Sequence, residues 1–363
     1  KIIRKMYTDE GDLGSVARMA RGTQKTMFQP KPLTIGGVYK DFRFIATSTG
    51  KNSQQKKADK IKALLVASKE MEPQYIVRSL QGKLRIGLGE ETVLVSLAHA
   101  IVLTGVGRGE TVPVSKRIRV EELKSAEETL KMVYSEMPWY DKIIEELLAH
   151  GFDNLTKVCK LTVGVPIRPM LAKAARGVQE IFERFGKQSF SCEYKYDGER
   201  QQIHIMENGT VKLYSRNLED TTGKFPDVIG MIPSAMSPTT KSAILDCEVV
   251  AYDAAEKKIK PFQILSTRGR KNITVEDIKV PVCIFAFDLL YLNGESLLKK
   301  SLKERREKLY SSFVATDAKF QFAVHLDSND TEEIQEFLTE AVKANCEGLI
   351  VKSYEQDASY EPS

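Results

Sequence analysis

In the stretch "CEYKYDGER", residues 192–200, Lys195 stands two residues after Glu193 and two before Asp197, with Gly198 and Arg200 just beyond. A free lysine amine titrates near pH ~10.4, so it is a poor nucleophile at neutral pH unless its surroundings favour the uncharged form. Once deprotonated it attacks carbonyl or phosphoryl groups and forms a covalent intermediate. Burial, a cation such as Arg200, or a bound metal each push in that direction. Asp197 is placed to orient the lysine or a metal, and Gly198, lacking Cβ, lets the backbone approach a ligand. On these nine residues alone a second reading is open: a charged strand-to-turn segment without chemistry.

Further along stand "LYSRN" with Arg216, "ILDCEVV" with Glu248, "FAFDLLYLNG" with Phe287, and "EGLIVK" with Glu347 and Lys352. Phosphoryl transfer is catalysed by positioning and charge neutralisation, which calls for Lys, Arg and carboxylates able to hold Mg²⁺. Taken singly, Phe287 reads equally as a core ring, and Glu248 and Glu347 as strand acids at the surface. Histidine chemistry has no support, because His99, His150, His204 and His325 each stand alone.

"KYDGER" fits K-x-D-G-x-R, and with the downstream motifs it resembles the covalent nucleotidyltransferases: ATP-dependent DNA ligases, RNA ligases and mRNA-capping enzymes. Order and spacing are most similar to the ATP-dependent DNA ligases, nearest the replicative ligases of eukaryotes. "PIRPMLA" before the lysine and "RSLQGKLRIGLGEETVL" in the first half extend the resemblance over essentially the whole chain. It implies that Lys195 attacks the α-phosphate of ATP and holds AMP as a phosphoramidate. Glu193 then reads the adenine edge and Phe287 stacks on the base. Arg200 and Arg216 contact the ribose and phosphates or the 5′-phosphate of a nick, and Lys352 neutralises the α-phosphate. Glu248 and Glu347 contact the ribose and bind Mg²⁺. AMP passes from Lys195 to the 5′-phosphate of nicked duplex DNA, and the 3′-hydroxyl displaces it to seal the strand. The same resemblance implies a nuclear, monomeric enzyme of DNA replication, repair and recombination, meeting the sliding clamp through regions outside this chain. A capping or RNA-ligase type nucleotidyltransferase, and a silent ligase-derived DNA-binding scaffold, are the alternatives.

The elements that must position these residues change period near residue 160. Before it, apolar residues recur at helical spacing in "ADKIKALLVASKEM", in "EETVLVSLAHAIVL" with Val93, Leu94, Leu97 and Ile101 inward, over Val120–Ser135, and in "DKIIEELLAHG". "QPKPLTIGG" and "LTGVGRGETVPVSKRIR" read as loops. After it comes the Pro-punctuated linker "LTVGVPIRPMLA", a helix through "GVQEIFERFG", and short alternating runs with hairpin turns at Asn208-Gly209 and Asn293-Gly294. A helix over "TEEIQEFLTEAVKAN", capped by Asp330 with Glu333 three residues on, precedes a buried strand "EGLIVKS". The expected fold is therefore an all-α domain, 1–160, followed by an α+β domain with antiparallel sheets, 161–363.

Charge follows the same division. Residues 1–160 hold 27 Lys+Arg against 19 Asp+Glu, a balance of +8, and residues 161–363 balance at −3. A basic helical half suits a polyanion, and the family resemblance makes it the DNA-binding domain. Within it Arg78, Ser79, Gly82, Lys83, Arg85 and Gly87 gather cations with glycines, which expose backbone N–H groups to phosphates at helix starts. Such contacts carry no base preference. Lys116, Arg117 and Arg119 read as a solvated loop, and Arg270 in "STRGRK" is the one DNA contact expected from the second half besides Arg216. No run of about 18 apolar residues occurs, so no helical membrane span is expected. Five scattered cysteines, odd in number, argue for a reducing compartment and against zinc or disulfides. The sequence lacks an initial Met, and the resemblance implies that the family's strand of paired lysines and its OB-fold domain are to be expected beyond its last residue. The expectation is a portion of a longer ligase that self-adenylates and seals poorly alone.

Overall fold

The computed structural model describes residues 2–22, 30–48, 50, 52–106, 120–186, 188–269 and 273–362. They fall into two compact units, 1–93 and 94–363.

The first unit holds α1 (Ile2–Glu10), α2 (Leu13–Gly22), α3 (Ile35–Thr47), α4 (Ser53–Ala67) and α5 (Glu72–Leu80). Of these, sequence periodicity foresees only α4, which starts ahead of its apolar stripe and ends where the Ser68 N–H bonds back to Leu64. The expected loop "QPKPLTIGG" gives way at Ile35. There the Thr34 hydroxyl accepts from the Gly37 N–H at 3.1 Å and caps α3 despite two glycines in its first turn. Helices α2 and α5 approach so closely at Gly14 that a Cβ there would meet the Gln74 carbonyl oxygen at 2.7 Å. Few large apolar side chains are buried in this unit, chiefly Val16, Leu64 and Ile76, beside the buried carboxylate of Asp12.

Helix α6 (Glu90–Thr104) runs across the division between the units. In the second unit its later turns join α7 (Val120–Glu136), α8 (Tyr140–His150) and α9 (Leu155–Val158) around Leu94, Ala98, Leu130, Ile143 and Leu147. Val93, expected to face inward, is exposed. Gly151, at φ +62°, ends α8 as its sequence position foretells. Compactness thus divides the chain earlier than the change of period near residue 160 does.

After α10 (Val178–Phe185) the chain builds two sheets from β1 (Phe190–Lys195), β2 (Glu199–Ile205), β3 (Val211–Ser215), β4 (Ala243–Asp253), β5 (Lys258–Ile259), β6 (Val282–Leu292), β7 (Glu295–Ser296), β8 (Phe320–Phe322), β9 (His325–Leu326) and β10 (Gly348–Ser353). The small sheet has the order β10-β1-β9, and the large one β3-β2-β4-β6-β7 with β5 on β4 and β8 on β6. Among the described strands every ladder is antiparallel except β6 with β8. Both foreseen hairpins form, with Gly209 at φ +81° and Gly294 at φ +95°. Helices α11 (Pro226–Ala235), α12 (Phe262–Ser266) and α13 (Leu302–Ser312) cover the large sheet's apolar face, whose core runs from Ile203 and Leu213 through Val249 to Phe320. Helix α14 (Thr331–Lys343) packs Ile334 and Phe337 on the apolar side of β1. Asp330 caps it as expected, accepting from the Glu332 and Glu333 N–H groups, while the Glu333 carboxylate accepts from Ser328. Strand β10 is half-buried over most of its length, because its second face is the polar face of the small sheet.

Candidate active site

Strand alternation puts Ser191, Glu193 and Lys195 on one face of β1, and the register Ser191 with Lys352, Lys195 with Gly348, brings Lys352 onto that face. Glu193 is buried, and its carboxylate accepts from the Lys352 Nζ at 2.6 Å and from the Arg306 Nη2 at 2.8 Å. Lys195, the last residue of β1, is half-exposed and ion-paired with Glu347. The Glu347 backbone N–H also bonds to the Lys195 carbonyl at 2.8 Å, so strand pairing fixes both ends of that contact.

From Lys195 the chain turns out of the small sheet and enters the large one at Glu199 within four residues. Gly198 makes this crossing possible, but by approaching protein rather than ligand. A Cβ there would meet the Val249 carbonyl oxygen at 2.5 Å and Val250 at 2.8 Å. The glycine of the motif thus seats the turn against β4. Asp197 accepts from the Phe262 N–H at 3.4 Å, orienting the turn rather than the lysine.

On the large sheet, Arg200 in β2 lies across from Glu248 in β4. Between Cys247 and Asp246 the β4 register on β6 jumps from Ala286 to Asp288, which leaves Phe287 as the bulged residue. A bulge re-aims a side chain, and here the ring comes to face both sheets' cations. Lys352 Nζ is 4.5 Å and the Arg200 guanidinium 5.4 Å from its centroid. Glu248 is partly buried. Desolvation pushes its carboxyl up to about 8, against the pull of Arg200 and, more weakly, of Lys195. Arg216 is exposed in the turn after β3. Lys195, Glu193, Arg200, Glu248, Phe287, Glu347 and Lys352 therefore converge where the two sheets meet, and Arg216 stands on the turn at the end of the neighbouring strand.

The basic segment of the first unit is a different kind of structure. Arg78 grips Asp12 through Nε at 3.0 Å and Nη2 at 2.7 Å and is largely buried, which leaves Lys83 and Arg85 as its exposed cations. Arg85 reaches back to the Gly11 carbonyl at 3.2 Å. Gly82, at φ +67°, follows the end of α5 rather than opening a helix, its N–H bonded to the Ser79 carbonyl. Gly87, at φ +77°, precedes α6. Arg270, like Lys116, Arg117 and Arg119, lies outside the described residues.

Two family profiles match the chain: "ATP dependent DNA ligase domain" over residues 169–363 and "DNA ligase N terminus" over residues 1–98. The chain belongs to the ATP-dependent DNA ligase family. It is 52% identical to DNA ligase 1 of Arabidopsis thaliana over 361 residues, 99% of this chain and 45% of that protein. It is 46% identical to DNA ligase 1 of Saccharomyces cerevisiae over 362 residues, 99% and 48% respectively. The chain thus spans about half the length of these curated relatives. Among solved structures, the ligase domain of LigD from M. tuberculosis is 25% identical and covers 54% of this chain and 56% of its own, with a TM-score of 0.40.

Set in this ligase family, the site's carboxylates fit a divalent ion of the Mg²⁺ class. Glu248 carries a carboxyl that burial disfavours as an anion, and an added cation would relieve that. Glu347 flanks the same lysine, and both offer hard oxygen donors. No cluster of three metal-ligating side chains occurs among the described residues. Mg²⁺ needs none, because it takes one or two carboxylates with water and substrate phosphates.

Sequence reasoning missed how the ligase's linker is held. The backbone of "LTVGVPIRPMLA" lies along β2, with the Gly164 N–H on His204 Nδ1 at 3.0 Å, the Ile167 N–H on Gln202 at 3.0 Å, and the Met170 carbonyl on Arg200 Nη1 at 2.9 Å. Three polar side chains at period two on one strand were the available signal. Of Asp246, Arg306 and Tyr360, which orient named site residues, only Asp246 gave a signal, a charge within the apolar run "ILDCEVV".

Proposed function

We propose that this chain is the DNA-binding and adenylation portion of an ATP-dependent ligase that seals nicks in duplex DNA through a lysyl-AMP intermediate. The observation carrying this reading is that one lysine, Lys195, stands half-exposed at the junction of the two sheets, within a ring of cations and carboxylates. In the resting site the Lys195 ammonium is held by Glu347, the base within reach of its proton. With the proton gone, the amine attacks the α-phosphate of ATP and pyrophosphate leaves. Lys352 and Arg200 neutralise charge on the phosphates, and Phe287 offers its ring to the adenine. Both oxygens of Glu193 are taken by Arg306 and Lys352, so an adenine amine must share that carboxylate with them. Glu248 and Glu347 would hold Mg²⁺, which would neutralise charge on the triphosphate.

The second and third transfers, to the 5′-phosphate of a nick and then to its 3′-hydroxyl, involve Arg200 and Arg216 on this reading. Lys83, Arg85 and the backbone around Gly82 and Gly87 hold the duplex, while Arg78 shapes that loop from behind; Arg270 is kept as a further DNA contact. A boundary near residue 160 separates grip from chemistry. Work in the nucleus, action as a monomer and recruitment by the sliding clamp through other regions complete the proposal, and likeness to eukaryotic ligases supports the first of these.

The test is incubation of the protein with ATP or GTP, denaturation, and mass spectrometry of the peptides. One AMP on the peptide spanning Lys195, absent from Lys195→Ala and not replaced by GMP, is the expected result. Retained GMP, or nick sealing by Lys195→Ala, would overturn the assignment.

A further inference from the structure

Beyond β10 the chain folds back across the catalytic unit and returns to the nucleotide site from beneath. The Tyr354 N–H bonds to the Ser189 carbonyl, the Ala358 carbonyl accepts from Arg305 Nη1 at 2.8 Å, and the Tyr360 N–H bonds to the Leu298 carbonyl at 2.7 Å. This course delivers Tyr360 into an apolar cluster with Leu161, Ile167, Ile244, Leu290 and Leu298, where it is 4% exposed.

Its hydroxyl meets three polar partners there. It donates to Asp246 Oδ2 at 2.7 Å and accepts from the Met170 N–H at 3.0 Å and from Arg200 Nη2 at 3.3 Å. Asp246 is fully buried and grips Arg200 through both oxygens, at 3.0 and 2.7 Å, and the Met170 carbonyl takes Nη1. One phenol thus uses its single proton and both lone pairs inside one cage, and every other member of that cage touches Arg200. Burial holds the phenol proton in place, and the adjoining Asp246 charge adds to this, so the hydroxyl stays a donor throughout the working pH range. One Nη1 N–H of the guanidinium is left outside this cage to meet a phosphate, and its central carbon lies 5.4 Å from the Phe287 ring centroid.

We infer that Tyr360 is a positioning residue for phosphoryl transfer: it shares Asp246 with Arg200, ties the "RPMLA" backbone to both, and thereby fixes the plane in which Arg200 meets a phosphate. This rests on the reading of Arg200 as a phosphate contact in the proposed reaction. Without the hydroxyl, the Met170 N–H loses its acceptor, and the buried Asp246 Oδ2 keeps one donor where it had two. The expected result is a tilted, looser Arg200 in an otherwise intact domain, because the ring still fills its apolar cluster.

The experiment measures two steps in the protein carrying this sequence: formation of lysyl-AMP from ATP, and sealing of a nick already carrying 5′-AMP. Tyr360→Phe, Arg200→Lys and the double variant are compared with the wild type, each well below its own melting temperature. Tyr360→Phe is expected to slow, by about tenfold in kcat with little change in KM, the same step that Arg200→Lys slows most. In the Arg200→Lys background the same change should cost less than about twofold, because its route to the phosphate is already gone. Effects that multiply, or that fall on different steps, would show that Tyr360 acts independently and would overturn the inference alone. An Arg200→Lys protein unimpaired in both steps would sink the reading of Arg200 first and this inference with it. A lowered melting temperature with unchanged rates would assign Tyr360 to packing only.

Discussion

Arg78 in the first unit and Arg200 in the second each donate two N–H groups to an aspartate, Arg78 both to one oxygen of Asp12 and Arg200 one to each oxygen of Asp246. Sequence offers both as ligand contacts, since each sits among glycines in a basic or motif-bearing segment. The structure separates them. Asp246 stands in a sheet whose core is deep and dry, so it can present Arg200 rigidly with the guanidinium near the Phe287 ring. Asp12 stands in a unit that buries few large apolar chains among the described residues, and there the ion pair ties α2 to α5. On the proposed reading one pair aims a phosphate contact, whereas the other fastens two helices.

Replacing each arginine by lysine breaks the comparison most strongly, because lysine keeps the charge and loses the planar fork. Arg200→Lys is expected to slow one phosphoryl-transfer step about a hundredfold while the protein melts within a few degrees of wild type. Arg78→Lys should leave lysyl-AMP formation unchanged and lower unfolding free energy by about 1–2 kcal/mol, read by urea denaturation. Equal rate losses in the two variants would erase the distinction.

Two glycines sharpen it. Gly198→Ala drives a Cβ into the Val249 carbonyl and so displaces the crossing that carries Lys195. A loss of about 2–3 kcal/mol and most self-adenylation is expected. Around Gly87 there is open space, and only its φ of +77° resists a side chain. Gly87→Ala should cost about 1 kcal/mol and leave adenylation intact. A Gly198→Ala protein with full lysyl-AMP formation would mean the close approach to β4 is not what places the lysine.

What could be read in the sequence follows from where the determinants are local. The ligase motif around Lys195, the Asn-Gly hairpins, α6, α7 and α8 with its closing glycine were legible, because each depends on neighbours in sequence. The helices α1, α2, α3 and α5 were not: they bury few side chains or none, and α3 carries two glycines in the first turn after its threonine cap. The order of the site motifs was legible, but the function of Gly198 was not, because its neighbour is a strand some fifty residues away. Arg78 was assigned to phosphate because its partner, Asp12, lies 66 residues upstream. The aim of Phe287 depended on a register jump that only the paired strands reveal.

Acidity separates the units with opposite signs. Glu248, raised to about 8 mainly by burial, takes up a proton on folding between its unfolded value near 4.5 and about 8. Its contribution is complete below the unfolded value and is lost as pH rises through about 8. Arg78 holds the Asp12 carboxyl well below the usual range, so its contribution is complete above the ordinary carboxylate value and is lost only as pH falls below it. Glu248→Gln should flatten the decline in melting temperature between about pH 5 and 8, and Asp12→Asn should act on the acid side alone. An unchanged slope in that window in Glu248→Gln would remove Glu248 as its source.

The smallest effect expected concerns the grip itself. With Arg78 committed to Asp12, Lys83 is the loop's exposed cation for which no partner is seen among the described residues, whereas Arg85 is partly spent on Gly11. Neutralising one phosphate contact lowers the salt dependence of duplex binding by about one unit in the slope of log K against log salt. Lys83→Ala should therefore weaken binding to a nicked duplex a few-fold at moderate salt, equally for any sequence, and reduce the slope by about that amount. Arg78→Lys should leave the slope untouched, because a guanidinium locked on a carboxylate releases no counterions from DNA. If instead Arg78→Lys lowers the slope and Lys83→Ala does not, the duplex lies against the α5 end of the segment, and Asp12 would have to yield its arginine on binding.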